Sequence, residues 1–320
     1  MLPKVSVIIP CFNSMPFLKE TLESVMAQSY SHLEIIVIDD HSTDGSHEYL
    51  TTFSKDIIVR KNKGKGACTA RNYGYELSRG DYIQYLDADD LLSHQKIEAQ
   101  VEALRQHQAG IAVCNTMHFY DKIIDGKITD TDYLFTTDDP KSFLLNLYGA
   151  NGFPNMVQTS AWLTPRNLVE KAGPWDENLS KDQDGEFFCR VVSHANQVIY
   201  VPNILNYYRK HISGQNIANQ KRRIHVESQL KAVDSKVDQL KSLKHTKAYK
   251  AAFALQYKWI AIDAYPEFKD LSKKAWIASE SLGGSNYSPV LGGAIIETIK
   301  SVFGWRTARV SSYWIHKIKS

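Results

Sequence analysis

Three carboxylates stand within four residues in Asp87-Ala88-Asp89-Asp90, directly after the predicted strand Tyr82–Leu86. Like charges this close together repel one another and resist burial. Their oxygen atoms suit a hard divalent cation, Mg²⁺ or Mn²⁺, and such a cation can neutralise phosphate oxygens. The alternative is a solvated acidic turn, with Asp90 near the N-terminus of the next helix.

Two further segments carry groups that suit a nucleotide. Asp39 and Asp40 follow the apolar run Leu33–Ile38, where a carboxylate can accept hydrogen bonds from ribose hydroxyls or a base; the alternative is a turn or cap. Residues 63–72 are basic, contain glycine and open a predicted helix, and such an N-terminus suits an anion. Arg71 can pair with a phosphate, although a basic surface loop is the alternative. The spacing matches neither a Walker loop nor a dinucleotide fingerprint, which counts against ATPases and Rossmann dehydrogenases.

A fourth segment places acidic residues at the start of a predicted helix over 184–193. Asp184 in this segment can act as a general base at the edge of a cleft. An acidic residue at a helix start also caps the helix. Position alone leaves both interpretations open.

These segments need a fold that brings them together. The sequence indicates one, because strand and helix patterns alternate up to about residue 120. The predicted strands cover 5–9, 33–38, 57–59, 82–86 and 111–114, and the predicted helices cover 16–29, 46–53, 67–78 and 94–108. Buried strands separated by helices indicate an α/β fold with a mostly parallel sheet. Ligands bind beyond the carboxyl ends of such strands, where both acidic segments stand.

The alternation fades after residue 120. We predict a hairpin at Asp125-Gly126, a helix over 139–148, a loop over 150–155, strands over 159–163, 198–201 and 205–209, and a Lys-rich helical region from 216 with a loop at 283–286. We therefore expect a catalytic domain over 1–215, with halves 1–115 and 116–215, and a basic helical extension over 216–320.

Six motifs follow one another in a characteristic order. They are Val-Ile-Ile-Pro-Cys-Phe-Asn (7–13), Val-Ile-Asp-Asp-His-Ser-Thr-Asp-Gly-Ser (37–46), Ala-Arg-Asn-Tyr-Gly (70–74), Gly-Asp-Tyr-Ile-Gln-Tyr-Leu-Asp-Ala-Asp-Asp (80–90), Gly-Pro-Trp-Asp-Glu (173–177) and Gln-Asp-Gly-Glu-Phe-Phe-Cys-Arg (183–190). Together they resemble the family-2 glycosyltransferases of the GT-A fold over about residues 4–212. The resemblance implies inverting transfer from a nucleotide-diphosphate sugar, most commonly a UDP-sugar, to a glycan or lipid-linked saccharide.

The resemblance also implies roles for individual residues. It gives the nucleoside and diphosphate contacts to Asp40, Pro10, Phe12, Asn13, Arg71 and Asp87. Asp87 and Asp89 would form the family's Asp-x-Asp motif and hold Mg²⁺ or Mn²⁺, with Asp89 as the direct ligand. Asp184 matches the general base.

One position departs from the family's pattern, and two others have roles that the resemblance leaves open. Gln183 stands where the family often has Glu, which removes a like charge beside Asp184 and does not imply inactivation. His211 follows a predicted strand and resembles a histidine that contacts metal or phosphate; the alternative is a surface histidine. Trp175 either stacks on an acceptor sugar or packs into the core.

Composition narrows the remaining classes of protein. The 320 residues are 43% hydrophobic and 23% charged, as in folded soluble proteins. The four cysteines are far apart and form no Cys-x-x-Cys pair, and no apolar run reaches the length of about 18 residues that a spanning helix needs. The N-terminus reads as a strand rather than a signal peptide. We expect a cytoplasmic protein with reduced thiols. The sequence leaves its oligomeric state open.

The charge is divided unevenly along the chain. Residues 1–215 hold 20 Lys/Arg and 27 Asp/Glu, whereas residues 216–320 hold 18 Lys/Arg and 8 Asp/Glu. Within the tail, residues 290–303 place apolar side chains on one helical stripe, and Val310, Trp314 and Ile318 recur beyond Gly304. This pattern predicts an interfacial helix over 290–320 on an anionic membrane. The alternative is packing on the catalytic domain or on another subunit.

Other function classes fit less well. A nucleotide-sugar-binding subunit with weak catalysis, in a complex that assembles a cell-surface polysaccharide, is the main alternative. A nucleic-acid-binding protein would need basic residues interleaved with exposed aromatics or a known module, and neither is apparent. A sugar nucleotidylyltransferase would carry a glycine-rich loop after the first strand, which this sequence does not have.

Overall fold

The computed structural model describes residues 2–53, 57–107, 109–128, 132–211 and 222–319, with side chains to residue 315. The chain divides into two compact units. The first comprises Met1–Phe143, Val157–Asn178 and Gln183–Asn219, and the second comprises Leu144–Met156, Leu179–Asp182 and Gln220–Ser320. The expected boundary at 215/216 lies outside the described residues. The second unit also takes two short segments that the sequence pattern placed within 1–215.

The first unit holds a sheet that the described residues build from nine strands. These are β1 (Val5–Cys11), β2 (Leu33–Asp39), β3 (Ile58–Lys61), β4 (Tyr82–Tyr85), β5 (Leu91–Leu92), β6 (Gly110–Phe119), β7 (Lys127–Ile128), β8 (Trp162–Pro165) and β9 (Gln197–Arg209). The strand order is β3-β2-β1-β4-β8-β6-β9-β5, with β7 on β6. The long ladders are parallel, which confirms the α/β prediction. Short antiparallel ladders of β5, β7 and β8 make the sheet mixed.

Seven helices, counted over the part of the chain that the structure describes, begin before residue 200. They are α1 (Met15–Met26), α2 (Ser46–Thr51), α3 (Ala67–Leu77), α4 (Lys96–Gln106), α5 (Pro140–Leu147), α6 (Arg166–Ala172) and α7 (Gln183–Ser193). All but α6 match predicted helices. The hairpin at Asp125-Gly126 is present as the connection between β6 and β7.

Two strand predictions differ from the structure. The strand expected at 159–163 begins with a 3₁₀ turn and becomes extended only at Trp162. The strands expected at 198–201 and 205–209 are one strand, β9, because both parts pair with β6. Residues 201–204 bulge between them, and Asn203 in this bulge has φ +64°.

The core of the first unit covers both faces of β1. Val7 and Ile9 pack with Leu18 and Leu22 of α1, and a Cβ on Gly74 of α3 would overlap Ile8. Strands buried on both faces are continuous apolar runs, which is why the sequence signal was strong here. All four cysteines are buried thiols.

The second unit is helical, as predicted. Its helices are α8 (Arg223–Gln239), α9 (Lys247–Ala264), α10 (Lys269–Ser281) and α11 (Ala294–Lys319). Hydroxyls of Ser272 and Ser279 on α10 donate to carbonyls of α9. The helix expected from 290 begins at Ala294, so Leu291 precedes it, and Gly304 breaks α11 with φ +81°. Among the described helices, none combines the length and apolar character needed to cross a membrane.

Candidate functional site

The two acidic segments lie at the same edge of the sheet, as predicted. Asp40 directly follows β2, and Asp87 lies two residues after β4. Both strands are parallel neighbours of β1. The segment after β1, which begins at Phe12, therefore lies between the two acidic segments.

Asp40 is held by two donors. Its Oδ1 accepts from Asn62 Nδ2 at 2.7 Å, and its Oδ2 accepts from the Gly66 amide at 2.7 Å. Gly66 has φ +98° and caps α3, a conformation that favours glycine. Asn62 was missed in the sequence, although its position directly after β3 is the signal that could have found it. These contacts fix the orientation of the Asp40 carboxylate.

The segment after β1 presents an exposed ring. Phe12 is 60% exposed, and Pro10 is half-buried at the end of the strand. Asn13 has φ +47°, its Oδ1 accepts from the Thr43 amide at 2.8 Å and its own amide donates to Ser42 Oγ at 3.0 Å. The loop after β1 is thus tied to the loop after β2, and it leaves an aromatic face available for stacking.

Arg71 connects three of the predicted motifs. It is 5% exposed, its Nη2 donates to Asp87 Oδ1 at 2.7 Å and its Nη1 donates to Gln183 Oε1 at 3.4 Å. The guanidinium lies 4.5 Å from the ring centroid of Trp175. Burial opposes the charge, but Asp87 and, more weakly, Asp184 raise the pKa of Arg71 above its usual value. Arg71 is therefore a buried cation that engages Asp87.

The three adjacent carboxylates have three different environments. Asp87 faces Arg71, whereas Asp89 Oδ2 lies 2.6 Å from Nε2 of His211. Asp90 is 2% exposed and accepts from the Arg209 amide at 3.0 Å. Burial and the neighbouring carboxylates raise the pKa of Asp89 and, more strongly, of Asp90. A solvated acidic turn is therefore wrong for Asp90.

The expected metal donors are Asp87, Asp89 and His211, and of these Asp89 and His211 are in contact with each other. Over residues 2–53, 57–107, 109–128, 132–211 and 222–319, no group of three or more His, Cys, Asp or Glu side chains has a geometry that could hold a metal ion. Carboxylate oxygen nevertheless suits Mg²⁺ and Mn²⁺, and imidazole is the commonest metal ligand among side chains. The pair fits a cation that would take its further ligands from outside the protein.

Arg209 was missed by the sequence analysis. It is 4% exposed, and its Nε donates to the Asp89 carbonyl at 3.0 Å while its Nη2 donates to Glu20 at 2.6 Å. Its guanidinium also lies 4.9 Å and 4.5 Å from the ring centroids of Phe17 and Phe119. A basic residue at the end of the apolar strand β9 was the available signal. Arg209 fixes the backbone of the Asp-x-Asp segment.

Asp184 lies in the first turn of α7, next to the residue that contacts Arg71. Its charge is one of those that raise the pKa of Arg71 and of Tyr208, so the same electrostatic environment includes Asp184, Arg71 and Asp87. Trp175 is 2% exposed and stacks on Phe187 of α7 with centroids 4.0 Å apart. Of the two interpretations of Trp175, core packing is confirmed.

Known proteins resemble this chain in sequence. Residues 6–164 match the sequence profile described as glycosyl transferase family 2. Glycosyltransferase GlyA of Streptococcus pneumoniae is 29% identical over 215 residues, which are 64% of this chain and 30% of that relative. The chain thus spans about a third of the length of this curated relative.

Solved structures resemble it in fold. One is S. aureus TarS 1-349 in complex with UDP-GlcNAc, with a TM-score of 0.62, 14% identity and coverage of 91% of this chain and 95% of that one. Another is the mannosyltransferase PcManGT from Pyrobaculum calidifontis in complex with GDP-Man and Mn²⁺, with a TM-score of 0.54, 15% identity and coverage of 98% and 85%. The profile, the order of the motifs and the fold agree, and the chain therefore belongs to glycosyl transferase family 2 and has the GT-A fold.

Proposed function

We propose that this chain transfers a sugar from a nucleotide-diphosphate sugar, with UDP as the first nucleotide to test, to a hydroxyl of a glycan or lipid-linked saccharide, with inversion. The observation that carries the proposal is Arg71, which joins Asp87 of the Asp-x-Asp motif to Gln183 beside Asp184. The ligands bound to TarS and PcManGT, UDP-GlcNAc and GDP-Man, support a nucleotide-sugar donor. In this proposal residues 1–115 bind the donor and residues 116–215 bind the acceptor.

The proposed chemistry needs one base. A sugar hydroxyl is a weak nucleophile, and Asp184 would remove its proton as the oxygen attacks the anomeric carbon. The diphosphate leaves from the opposite face, so that a single displacement inverts the configuration. A second carboxylate nucleophile, as in retaining hydrolysis, is not required. Gln183 in place of Glu leaves Asp184 without a like charge directly before it, which favours the ionised base.

Asp40, with Phe12 and Asn13 nearby in the adjoining loop, would hold the nucleoside. Asp89 and His211, with Asp87 beside them, would hold Mg²⁺ or Mn²⁺, and when bound the cation offsets the negative charge that develops on the diphosphate. Arg71 adds a fixed positive charge next to Asp87. Arg209 keeps the Asp89 backbone in place through its bond to the Asp89 carbonyl.

A weakly catalytic nucleotide-sugar-binding subunit remains the second candidate. A binding subunit would use the same donor contacts as the enzyme. The two differ only in catalysis, which is measured as turnover of the nucleotide sugar by the purified chain. The presence of a carboxylate at position 184 favours the enzyme, because a binding subunit has no need of a base.

We also propose that the first half of α11 lies on an anionic membrane surface at the cytoplasmic face. Ile295, Val302 and Phe303 are 76%, 66% and 68% exposed, and the spacing puts them with Ile299 on one side of the helix. This set is the α11 apolar face. The excess of basic residues in 216–320 complements anionic headgroups.

The second half of α11 packs within its own unit. Trp305 stacks on Trp276 at 5.5 Å, and Arg309 pairs with Asp263 and donates to carbonyls of Ile262 and Tyr265. Arg309 lies within the interfacial helix predicted over 290–320, but its guanidinium binds groups of its own unit. The membrane proposal is therefore limited to residues 295–303.

Donor binding can be tested without knowledge of the acceptor. A panel of nucleotide sugars is scored by thermal shift with Mn²⁺ and with chelator, because a ligand at about 100 times its dissociation constant stabilises the folded state by about 2.7 kcal/mol. We expect one donor class to raise Tm with Mn²⁺ and to do so much less with chelator.

Two matched variants separate binding of Mn²⁺ and donor at the candidate site from general effects on Tm. Asp89→Asn should lose the Mn²⁺-dependent shift, whereas Asp238→Asn, an exposed carboxylate on α8, should keep it. A panel in which no nucleotide sugar changes Tm under either condition would contradict the proposed function.

A further inference from the structure

The segment that leads into α7 is held by the helical unit. Leu179–Asp182 belongs to the second unit, while the residues on either side of it in the chain belong to the first. Asp182 is the residue directly before α7 and lies two positions before Asp184. Whatever fixes Leu179–Asp182 therefore fixes the backbone that enters the turn carrying the proposed base.

One buried hydroxyl of α8 binds three backbone groups of this segment. Ser228 is 2% exposed, and its Oγ accepts from the amides of Ser180 and Lys181, each at 2.9 Å, and donates to the Lys181 carbonyl at 2.8 Å. His225 Nδ1 also lies 3.0 Å from Ser180 Oγ. A buried backbone group left without a partner costs about 1–3 kcal/mol, so these bonds hold the segment firmly.

An ion pair with a buried lysine holds the next residue, the partly exposed Asp182, in an unusual conformation. Asp182 has φ +60°, a left-handed region that Asp tolerates better than most residues do. Its Oδ2 lies 2.5 Å from Nζ of Lys236, which is 3% exposed and 5.0 Å from the ring centroid of Tyr148. Lys236 stands eight residues after Ser228, about two helical turns further on the same face of α8. The two side chains thus act on successive residues of one segment.

We propose that Lys236 is a positioning residue for the catalytic base: through its pair with Asp182 it fixes the direction in which the chain enters α7, and hence where Asp184 lies. The inference rests on the proposed function. Burying the Lys236 charge costs hydration that offsets much of the attraction to Asp182, which makes placement of the chain a better explanation of this pair than stability. A misplacement of the base by about 1 Å can cost about 100-fold in rate.

The experiment compares Lys236→Met, Asp182→Asn and the double variant in the full chain. Methionine keeps the apolar stem, and asparagine tolerates the positive φ. We expect kcat for transfer to fall about 10- to 100-fold in each single variant, with the donor dissociation constant within about twofold of wild type. Because the two residues act as one unit, the double variant should be no worse than either single one. Lys236→Arg should restore part of kcat.

Controls separate positioning from folding. Lys231→Met removes an exposed lysine from the same helix and should leave kcat unchanged. If the single variants do not fold, the double variant decides, because it leaves neither charge buried alone. A folded double variant with kcat within about twofold of wild type overturns the inference, as does a parallel loss of donor affinity. A wild-type chain that turns over no donor overturns the proposed function, and this inference with it.

Discussion

At the scale of single residues, the acidic segment is divided among partners that lie far away in sequence. Asp87 contacts Arg71, Asp89 contacts His211 and Asp90 contacts the Arg209 amide. Residue type and spacing indicated an acidic site at a strand end. They did not indicate which carboxylate is buried, because that depends on where the last residues of β9 lie in the folded chain.

Lys96 is a buried ionisable residue outside the site. It is fully buried, its Nζ donates to Oε1 of Gln84 and of Gln100, each at 2.6 Å, and burial lowers the pKa of Lys96 from 10.5 to about 8. Between these two pH values the unfolded chain binds more protons than the folded one, so stability rises with pH. Below pH 8 the full cost of burying the charge is present.

We therefore expect the free energy of unfolding of wild type, relative to Lys96→Met, to increase as pH rises from about 8 towards 10.5, by about 3 kcal/mol in total. Urea unfolding of both proteins at several pH values measures this difference. The exposed Lys231→Met serves as the reference for the general effect of pH. A difference between wild type and Lys96→Met that does not change with pH would contradict the burial argument.

At the scale of elements, local signals predicted the strands that are buried on both faces. β1, β2 and β4 are mostly apolar, each with one polar residue before the strand ends near Pro or Asp (Ser6, Glu34 and Gln84), and the structure has them close to the predicted bounds. The sequence pattern predicts two strands in place of β9, because Pro202-Asn203 between them is typical of a turn. Its continuity comes from pairing with β6 on both sides of the bulge, which a local pattern cannot reveal.

The α11 apolar face makes a prediction about membranes. Val302→Asp with Phe303→Asp should weaken binding to phosphatidylglycerol vesicles at least about tenfold, because each buried apolar side chain contributes about 1.5–3 kcal/mol. Co-sedimentation of the full chain measures this, with phosphatidylcholine vesicles as the uncharged comparison.

Ile277→Asp provides a matched control, since Ile277 is 57% exposed on α10. It should leave vesicle binding unchanged. Equal binding by the double variant and wild type would refute the membrane proposal, and concentration-dependent dimerisation that the double variant abolishes would assign the face to a second copy of the chain instead.

At the scale of the whole molecule, the net charge of +3 hides an acidic body and a basic tail. The acidic part supplies the carboxylates of the site, and the tail supplies the basic helical unit. The sequence predicted this division. It did not predict that Leu179–Asp182 belongs with the helices, because the contacts of that segment come from α8, more than forty residues later.

The sequence predicts which edge of the sheet carries the candidate site, for a topological reason. Asp40 and Asp87 follow β2 and β4, the two parallel strands on either side of β1, so their position at one edge of the sheet follows from the fold class alone. Asn62, Arg209 and Lys236 were missed because each acts through tertiary hydrogen bonds or ion pairs. Such partners become visible only once the strands and helices are placed.

The most direct test of the proposed transfer is release of nucleotide diphosphate from the stabilising donor, compared between the full chain and Asp184→Asn. A general base contributes about 10²- to 10⁴-fold, and we predict a loss of that size in kcat with the donor dissociation constant unchanged within about twofold. An Asp184→Asn chain that keeps wild-type turnover would contradict the account of Asp184 as the base.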